Sequence, residues 1–541
     1  MRVRAVHHVN ADVCVIYAGR WFVFAGRASP SPTRMLQNVG RGGVAHNKER
    51  NILIMKNKFI ILVALCVLAL LLTMACQSPK TESENSNNVD SNNENAAEIA
   101  ETEPEDPFAI YNDGLGEYNF NGDEFKIQTF YNENVHNNID IPEETGEIFS
   151  DALYKRNRTI EERFNVVIKE VETTDFQNAQ SKRVILAGDS SVFDMFDSRC
   201  PDALTNWQEG LVVPYNNIPN IDLTKPYWNL SANKTLTLAG TQYVAIGNFN
   251  FASYELSHAL LFNKNMIQEF GLDSPYLIVG DGNWTFDKME EMMKVVIYDL
   301  NGDGAMDGSD RYGYLSHPKQ ALPNFWISGG TFSVGKDSND IPYLAMENER
   351  FINVFDKIFA MMWDTGAYYL GQGGPDIPTY AIEMFSNNQS LFMDTTFFVI
   401  ERMRSAEVDF GIIPYPKYDA AQSEYASRME YYMAMQIPVT NPDLERAGVM
   451  LEALNSESAK TIIPAYYEIA LKTKYARDDE SSKMLDLIFN TLVVDIGDTT
   501  LCDKIRDGFM ASMFETNNRN LASKIESTAK TIQTFIDKIP Q

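Results

Sequence analysis

Cysteine is scarce in this chain, five in 541 residues, and histidine is nearly as rare at six. Cys14 and Cys66 lie in the leading segments, so Cys76, Cys200 and Cys502 are the thiols beyond them. That is no disulfide framework; Cys200 and Cys502 either pair once, over a long stretch of chain, or stay free. Past residue 76 the histidines are His136, His258 and His317, with none of the spacings that hold zinc and no His-Glu-x-x-His motif. A Gly-x-Ser-x-Gly elbow, a phosphate-binding loop and internal repeats are also missing. Positive charge is short as well: 46 Lys and Arg stand against 74 Asp and Glu, for a formal net charge of −28. Such a surface repels nucleic-acid phosphates and anionic lipid headgroups, so neither is an expected partner.

What is present begins at Met55, with MKNKFIILVALCVLALLLTMAC. Lys56 and Lys58 form a positive start, and the apolar run Phe59 to Ala75 ends in small residues before Cys76. This order reads as a secretory signal over 55–75 rather than a spanning helix. Residues 1–54 then read as upstream sequence from an early start, a separate N-terminal domain being the alternative. The junction Thr73-Met74-Ala75-Cys76 resembles a bacterial lipobox, which implies lipidation of Cys76 and anchoring of the protein to the outer face of a cytoplasmic membrane, with ordinary secretion as the alternative. From Gln77 to Pro107 the chain is polar and acidic, unable to offset its ordering entropy, so 76–117 is expected to be a tether.

The remaining chain is long enough for more than one domain-sized core. DEFKIQTFY (123–131) and NVVIKEVET (165–173) alternate as strands, while GEIFSDALYKRNRTIEERF (146–164) has apolar residues at helical spacing. A helix over 177–189 and a short strand at 193–198 continue the alternation, which predicts βαβ units and a parallel sheet. The pattern changes near 250, after the β-like stretch 235–250, and from 443 onward it is mostly helical. The fold class expected is α/β throughout, with more than one sheet.

ALLFNKNMIQEFGLDSPY (259–276) followed by GNWTFDKMEEMMK (282–294) resembles a segment of the family 1 extracellular solute-binding proteins of ABC importers. EMFSNNQSLFMDTTFFVIERM, DFGIIPYPKYD and NPDLERAGVMLEALNSES resemble further family segments in the same order, so the resemblance covers about 118–541. It implies a two-lobed, periplasmic-binding-protein-like clamshell of type II. Lobe 1 would comprise 118–252 plus 428–472, and lobe 2 253–427 plus 473–541, with hinge crossings near Tyr254, Met429 and Lys474. The implied function is monomeric, non-enzymatic capture of a carbohydrate, closure of the hinge around it, and delivery to ABC permease subunits. A surface glycosidase using two carboxylates and a peptide-binding lipoprotein remain alternatives.

Ligands of α/β folds sit beyond strand C-termini. Asp197, Ser198 and Arg199 after the FDMF strand, Asp394 after SLFM, and Tyr254 and Glu255 at the first crossing match cleft positions of sugar-binding relatives, and Phe397 falls near a stacking aromatic. Trp228, Trp326 and Tyr432 join them on composition, because sugars are gripped by aromatic faces and planar polar groups. For each, a surface ion pair or a core aromatic is the competing role.

One further motif stands apart. DLNGDGAMDGSD (299–310) places Asp299, Asn301, Asp303, Asp307 and Asp310 at EF-hand positions 1, 3, 5, 9 and 12, with the Ala305 carbonyl at 7 and Gly304 at 6. Ca²⁺ is therefore the expected cofactor, as a structural staple; an acidic, Gly-rich turn left empty is the alternative. The loop is single, which argues against a sensor.

Overall fold

The computed structural model describes residues 106–130, 139–175, 178–369, 377–403, 406–467 and 478–539. The signal, Cys76, most of the tether and the expected crossing near Lys474 lie outside the described residues.

Two five-stranded mixed sheets organise the rest. The first contains β1 (Asp123–Phe130), β2 (Val166–Thr173), β3 (Met195–Arg199), β4 (Val212–Val213) and β10 (Met433–Pro438), in the order β2-β1-β3-β10-β4. The second contains β5 (His258–Asn263), β6 (Tyr312–Leu315), β7 (Tyr368–Tyr369), β8 (Ser390–Thr396) and β9 (Phe410–Ile413), in the order β7-β6-β8-β5-β9. β1 and β2 run parallel in unbroken register from Asp123↔Val166 to Phe130↔Thr173.

The sheets are not wholly parallel, which corrects the simple βαβ expectation. β10 runs antiparallel to β3 and β4, and β5 antiparallel to β8 and β9. Both follow directly on a crossing between the sheets, and the crossing segments touch at the antiparallel bridge Ser257↔Met429. A strand entering from the side where its parallel neighbours end must run away from that side, hence opposite to them. Alternation of strands and helices along the sequence cannot reveal such an insertion.

Local signals explain the elements. Helix α1 (Ile148–Phe164) starts where Glu147 accepts from the Ser150 amide, buries Phe149, Leu153, Ile160 and Phe164, and ends at Asn165 in the left-handed region, φ 47°. Ile160 and Phe164 join Phe125, Ile127, Val166 and Ile168 of the sheet in one core cluster, while Phe149 and Leu153 pack into another with Phe251 and Tyr466. Helix α2 (Pro318–Ser328) is buried along nearly its whole length, and α3 (Leu444–Lys460) opens on the Asp443 cap and packs against α1.

The β-like stretch 235–250 yields the hairpin Thr237–Leu238 and Thr241–Gln242 and a single antiparallel bridge between Gly247 and Trp228. Beyond the hairpin, Tyr243 to Ile246 are buried without a ladder. Side-chain amides replace it: Asn233 accepts from the Ile246 amide at 2.7 Å and donates to its carbonyl at 3.0 Å, and Asn455 accepts from Phe249 at 3.0 Å. The apolar side chains made the segment look like a strand, while its hydrogen bonds come from elsewhere.

Candidate ligand cleft and the charged knot at its crossings

Strand β3 delivers Asp197, Ser198 and Arg199 to its C-terminal end. Asp197 is 1 % exposed and opposite Met435 of β10. Its Oδ2 accepts from the Phe130 amide at 2.9 Å, while buried Oδ1 has no partner among the described residues. Burial, reinforced by the Glu170 charge, pushes its pKa up to about 7 despite that amide. Asn178 donates to the Asp197 carbonyl at 2.6 Å, and its own side-chain oxygen is likewise buried and unpartnered. Ser198 accepts from Asn206 at 3.1 Å, and half-buried Arg199 forms a two-pronged pair with Asp202 at 2.5 and 2.8 Å.

The first crossing gathers aromatics. The Tyr254 hydroxyl donates to Asn248 at 2.8 Å. Phe397 stacks on Phe489 with centroids 4.7 Å apart, and Tyr254 leans on the same Phe489 ring at 6.0 Å. Tyr254 and Phe397, remote in sequence, thus share a neighbour on helix Asp479–Asn490. Glu255 beside them is 1 % exposed.

Four expected aromatics are placed in the core rather than at a cleft surface: Phe397, stacked on Phe489, and three that spend their polar atoms inside. The Trp228 indole donates to Glu452 at 3.1 Å, the Trp326 indole to Asp495 at 2.8 Å, and Tyr432 shares a hydrogen bond with Thr500 at 2.9 Å. Each is at most 3 % exposed. A buried indole needs an acceptor, and acceptors inside the protein supply it here.

Asp394 belongs to a network that sequence reasoning missed. Its Oδ1 receives the Tyr415 hydroxyl at 2.5 Å and the Asn324 amide at 2.9 Å, and faces His258 Nδ1 at 2.8 Å; Oδ2 receives Ser316 at 3.0 Å. His258 Nε2 faces Glu430 at 2.9 Å, and Glu430 also receives Gln320 at 2.7 Å. Arg428 binds Asp498 through two nitrogens at 2.6 and 2.9 Å and donates to Gln320 and Asn324 at 2.5 and 3.0 Å. Arg506 approaches Glu430 and Asp498 at 3.5 and 3.4 Å. Strands β5 and β8, helix α2, the second crossing and the C-terminal segment all contribute.

Electrostatics follow from this pairing. Burial opposes charge on His258, but Asp394 and Glu430 outweigh it and hold the imidazole above its usual pKa. Burial opposes ionisation of Glu430 and Asp394 too, yet hydrogen bonds and charge from His258, with help from Arg428, hold both below the carboxylate range. Both ring nitrogens of His258 thus face carboxylates, and the Arg428 guanidinium also lies 3.1 Å from Nε2. His258 fills the space between Asp394 and Glu430, so these two acids do not flank an open slot. The signals in the sequence were thin: a lone histidine opening β5, and Arg428-Met429-Glu430 at an expected crossing.

The acidic loop closes on its own amides. Asp299 accepts from Gly302 and Gly304 at 2.7 and 2.8 Å, Asn301 from Asp303, and Asp303 from Ala305. Asp307 accepts from Ser309, and fully buried Asp310 takes the Leu300 and Asp307 amides at 2.9 and 2.7 Å. Gly302 and Gly304, at φ 73° and 84°, supply the left-handed turns. Among the described residues no group of three or more His, Cys, Asp or Glu side chains converges as a metal site.

No protein-family model matches this chain, and no curated protein sequence does. Solved structures do. The cyclic α-maltosyl-1,6-maltose binding protein from Arthrobacter globiformis is 13% identical, with 76% of this chain and 98% of that one covered and a TM-score of 0.52. A cyclo/maltodextrin-binding protein complexed with maltotetraose is also 13% identical, with 76% and 97% covered and a TM-score of 0.51. At such identity the likeness speaks for architecture, and the paired mixed sheets described above agree with it. The chain has the periplasmic-binding-protein-like fold of these two sugar-binding proteins.

Proposed function

We propose that this protein is a non-enzymatic, monomeric substrate-binding lipoprotein of an ABC importer, taking an oligosaccharide between its two lobes and presenting it to a membrane permease. The observation that carries this reading is the match, over 76% of this chain and nearly all of theirs, to a cyclic α-maltosyl-1,6-maltose binding protein and a cyclo/maltodextrin-binding protein complexed with maltotetraose. At the end of β3 and the first crossing, the unpartnered oxygen of Asp197, the half-buried Arg199–Asp202 pair and the Tyr254 ring bring together polar groups and an aromatic face, the mixture a sugar needs. Ligand contact with both lobes would stabilise the closed form by its differential affinity. Lipidation of Cys76 would hold the protein at the outer face of the cytoplasmic membrane, with a tether shorter than the expected 76–117, because from Ala109 onward the chain is fastened to the folded part and buried Asp113 pairs with Arg163 at 2.6 Å.

Calcium is the proposed staple of the loop, held by Asp299, Asn301, Asp303, the Ala305 carbonyl, Asp307 and Asp310. Each side chain already turned onto a loop amide keeps further lone pairs for an ion, and like charges crowded in one loop favour a cation.

The test is a thermal-shift screen against mono- and oligosaccharides with product analysis. A native-state ligand at a hundredfold excess over its Kd adds roughly 2.7 kcal/mol, a clear rise in midpoint. A selective shift with the glycan recovered intact supports the binding role. Cleavage of that glycan transfers the case to a surface glycosidase, and a shift with peptides alone to a peptide binder.

A further inference from the structure

The geometry points to Cys200 and Cys502 as a thiol–disulfide site, at which an oxidant of the disulfide class joins the first sheet covalently to the C-terminal segment. Cys200 opens the helix Cys200–Gln208 directly after β3, and Cys502 lies in the run of turns over 494–505. Both thiols are free and buried, and each lies close enough to shift the other's ionisation. The Cys200 thiol also reaches the Thr499 carbonyl at 3.4 Å, and the same carbonyl accepts the Cys502 amide at 3.2 Å. Packing therefore already brings together two sulphurs that lie far apart in sequence.

The position gives such a bridge a consequence. The segment bearing Cys502 is fastened to the second-sheet side, where Asp495 accepts from Trp326 and Ser333, each at 2.8 Å, and Asp498 grips Arg428. On the other side Cys200 immediately follows Ser198 and Arg199 at the end of β3. A bridge would tie the end of β3 to that fastened segment.

The two thiols have different roles. The neighbouring Cys200 and the Arg506 guanidinium lower the Cys502 pKa, whereas burial raises that of Cys200. The Cys502 thiolate attacks one sulphur of an incoming disulfide, forming a mixed disulfide and expelling one thiolate. That thiolate takes the Cys200 proton; Cys200 then attacks the Cys502 sulphur, and the second small thiolate departs and takes up the proton that Cys502 released on ionising. Two protein thiols are oxidised, and one small disulfide is reduced to two thiols. Disulfides persist outside the cytoplasm, which suits the proposed surface location, but the bridge itself does not depend on that reading.

The test uses the full-length protein, incubated with oxidised glutathione, alkylated, digested without reductant and mapped by mass spectrometry. The expected result is a linked pair of peptides containing Cys200 and Cys502. Linked protein should unfold several degrees above its dithiothreitol-reduced form, because the cross-link restricts the unfolded chain. Cys502→Ser or Cys200→Ser, whichever folds, should lose that redox-dependent difference. Recovery of both cysteines alkylated, or each carrying a separate glutathione, overturns the proposal, and this mapping on the unmodified sequence decides it even if neither variant folds.

Discussion

His258 Nδ1 lies 2.8 Å from Asp394 Oδ1, and on the opposite side of the same ring Nε2 lies 2.9 Å from Glu430 Oε2. One imidazole thus ties a strand of the second sheet to the chain crossing back to the first. All three groups are buried or nearly so, so water screens the pairing little.

Replacing this histidine should expose its charge-balancing role. His258→Gln leaves two buried carboxylates short of a cation, and breaking such a pairing costs about 3–5 kcal/mol. The sign of the pH dependence follows from the raised pKa. The contribution is full below the unfolded value of about 6.5 and is lost as pH rises through the higher folded value. Urea midpoints of both proteins across pH 5 to 9 should therefore converge on the alkaline side; a constant gap would rule out titration of His258 as the cause.

Asp197 behaves in the opposite sense from a paired carboxylate. Its folded pKa is pushed up to about 7, so the native state holds a proton that the unfolded chain has released. Stability due to this group declines as pH rises from about 4 towards 7. Asp197→Asn removes the decline and should equal or exceed the parent protein in stability at pH 8. If the Asp197 oxygen receives ligand hydroxyls, the same variant loses glycan affinity while remaining folded. Calorimetric titration separates the two effects, and undiminished affinity would take Asp197 out of the site.

The loop Asp299–Asp310 offers a direct measurement. Calcium should raise the thermal midpoint of the parent protein and a chelator should reverse the rise. Asp303→Ala removes one ligand from an exposed side chain whose present partners lie within the loop, so its apo stability should stay near that of the parent. The calcium response should disappear. A response that survives Asp303→Ala places the ion elsewhere.

Much of the fold was legible, and the reason differs by element. β1 and α1 could be read because their apolar residues repeat at the spacing of the face they bury. The antiparallel insertion of β5 and β10 was not, since direction within a sheet depends on where the chain returns from rather than on local pattern. Residues 243–250 misled because Asn233 and Asn455, acting at a distance, supply what a ladder would. Among the candidates, Tyr254 was proposed from its place at a crossing and Asp394 as following the SLFM run, although β8 continues through Asp394 to Thr396. Trp228 and Trp326 were proposed on aromatic character, which a core residue shares; their carboxylate partners Glu452 and Asp495 sit far along the sequence. His258 carried no motif at all, because its partners come from separate elements.

The two roles open to Trp228 can be told apart. Trp228→Phe keeps the ring but leaves the buried Glu452 without one of its donors, which costs about 1–3 kcal/mol. Glycan affinity should be unchanged, since the indole already spends its N–H inside the core. Loss of affinity at full stability would return Trp228 to the ligand surface.

Arg428 and Asp498 allow a sharper experiment on the same crossings. Both side chains are essentially unexposed, at 1% and 0%. Arg428→Met leaves Asp498 dependent on Arg506 at 3.4 Å and removes donors from Gln320 and Asn324, so a loss of about 3–5 kcal/mol is expected. Asp498→Leu should cost a similar amount, because it strands the guanidinium. The double variant replaces a desolvated pair with apolar groups, which is often neutral, and should therefore recover most of the loss. Arg428 also donates to Gln320 and Asn324, so recovery should be incomplete by what those two amides lose. Denaturant unfolding of all four proteins gives the coupling energy directly. Additive losses would mean that the pair does not act as a unit, and the charged knot would reduce to separate hydrogen bonds around His258.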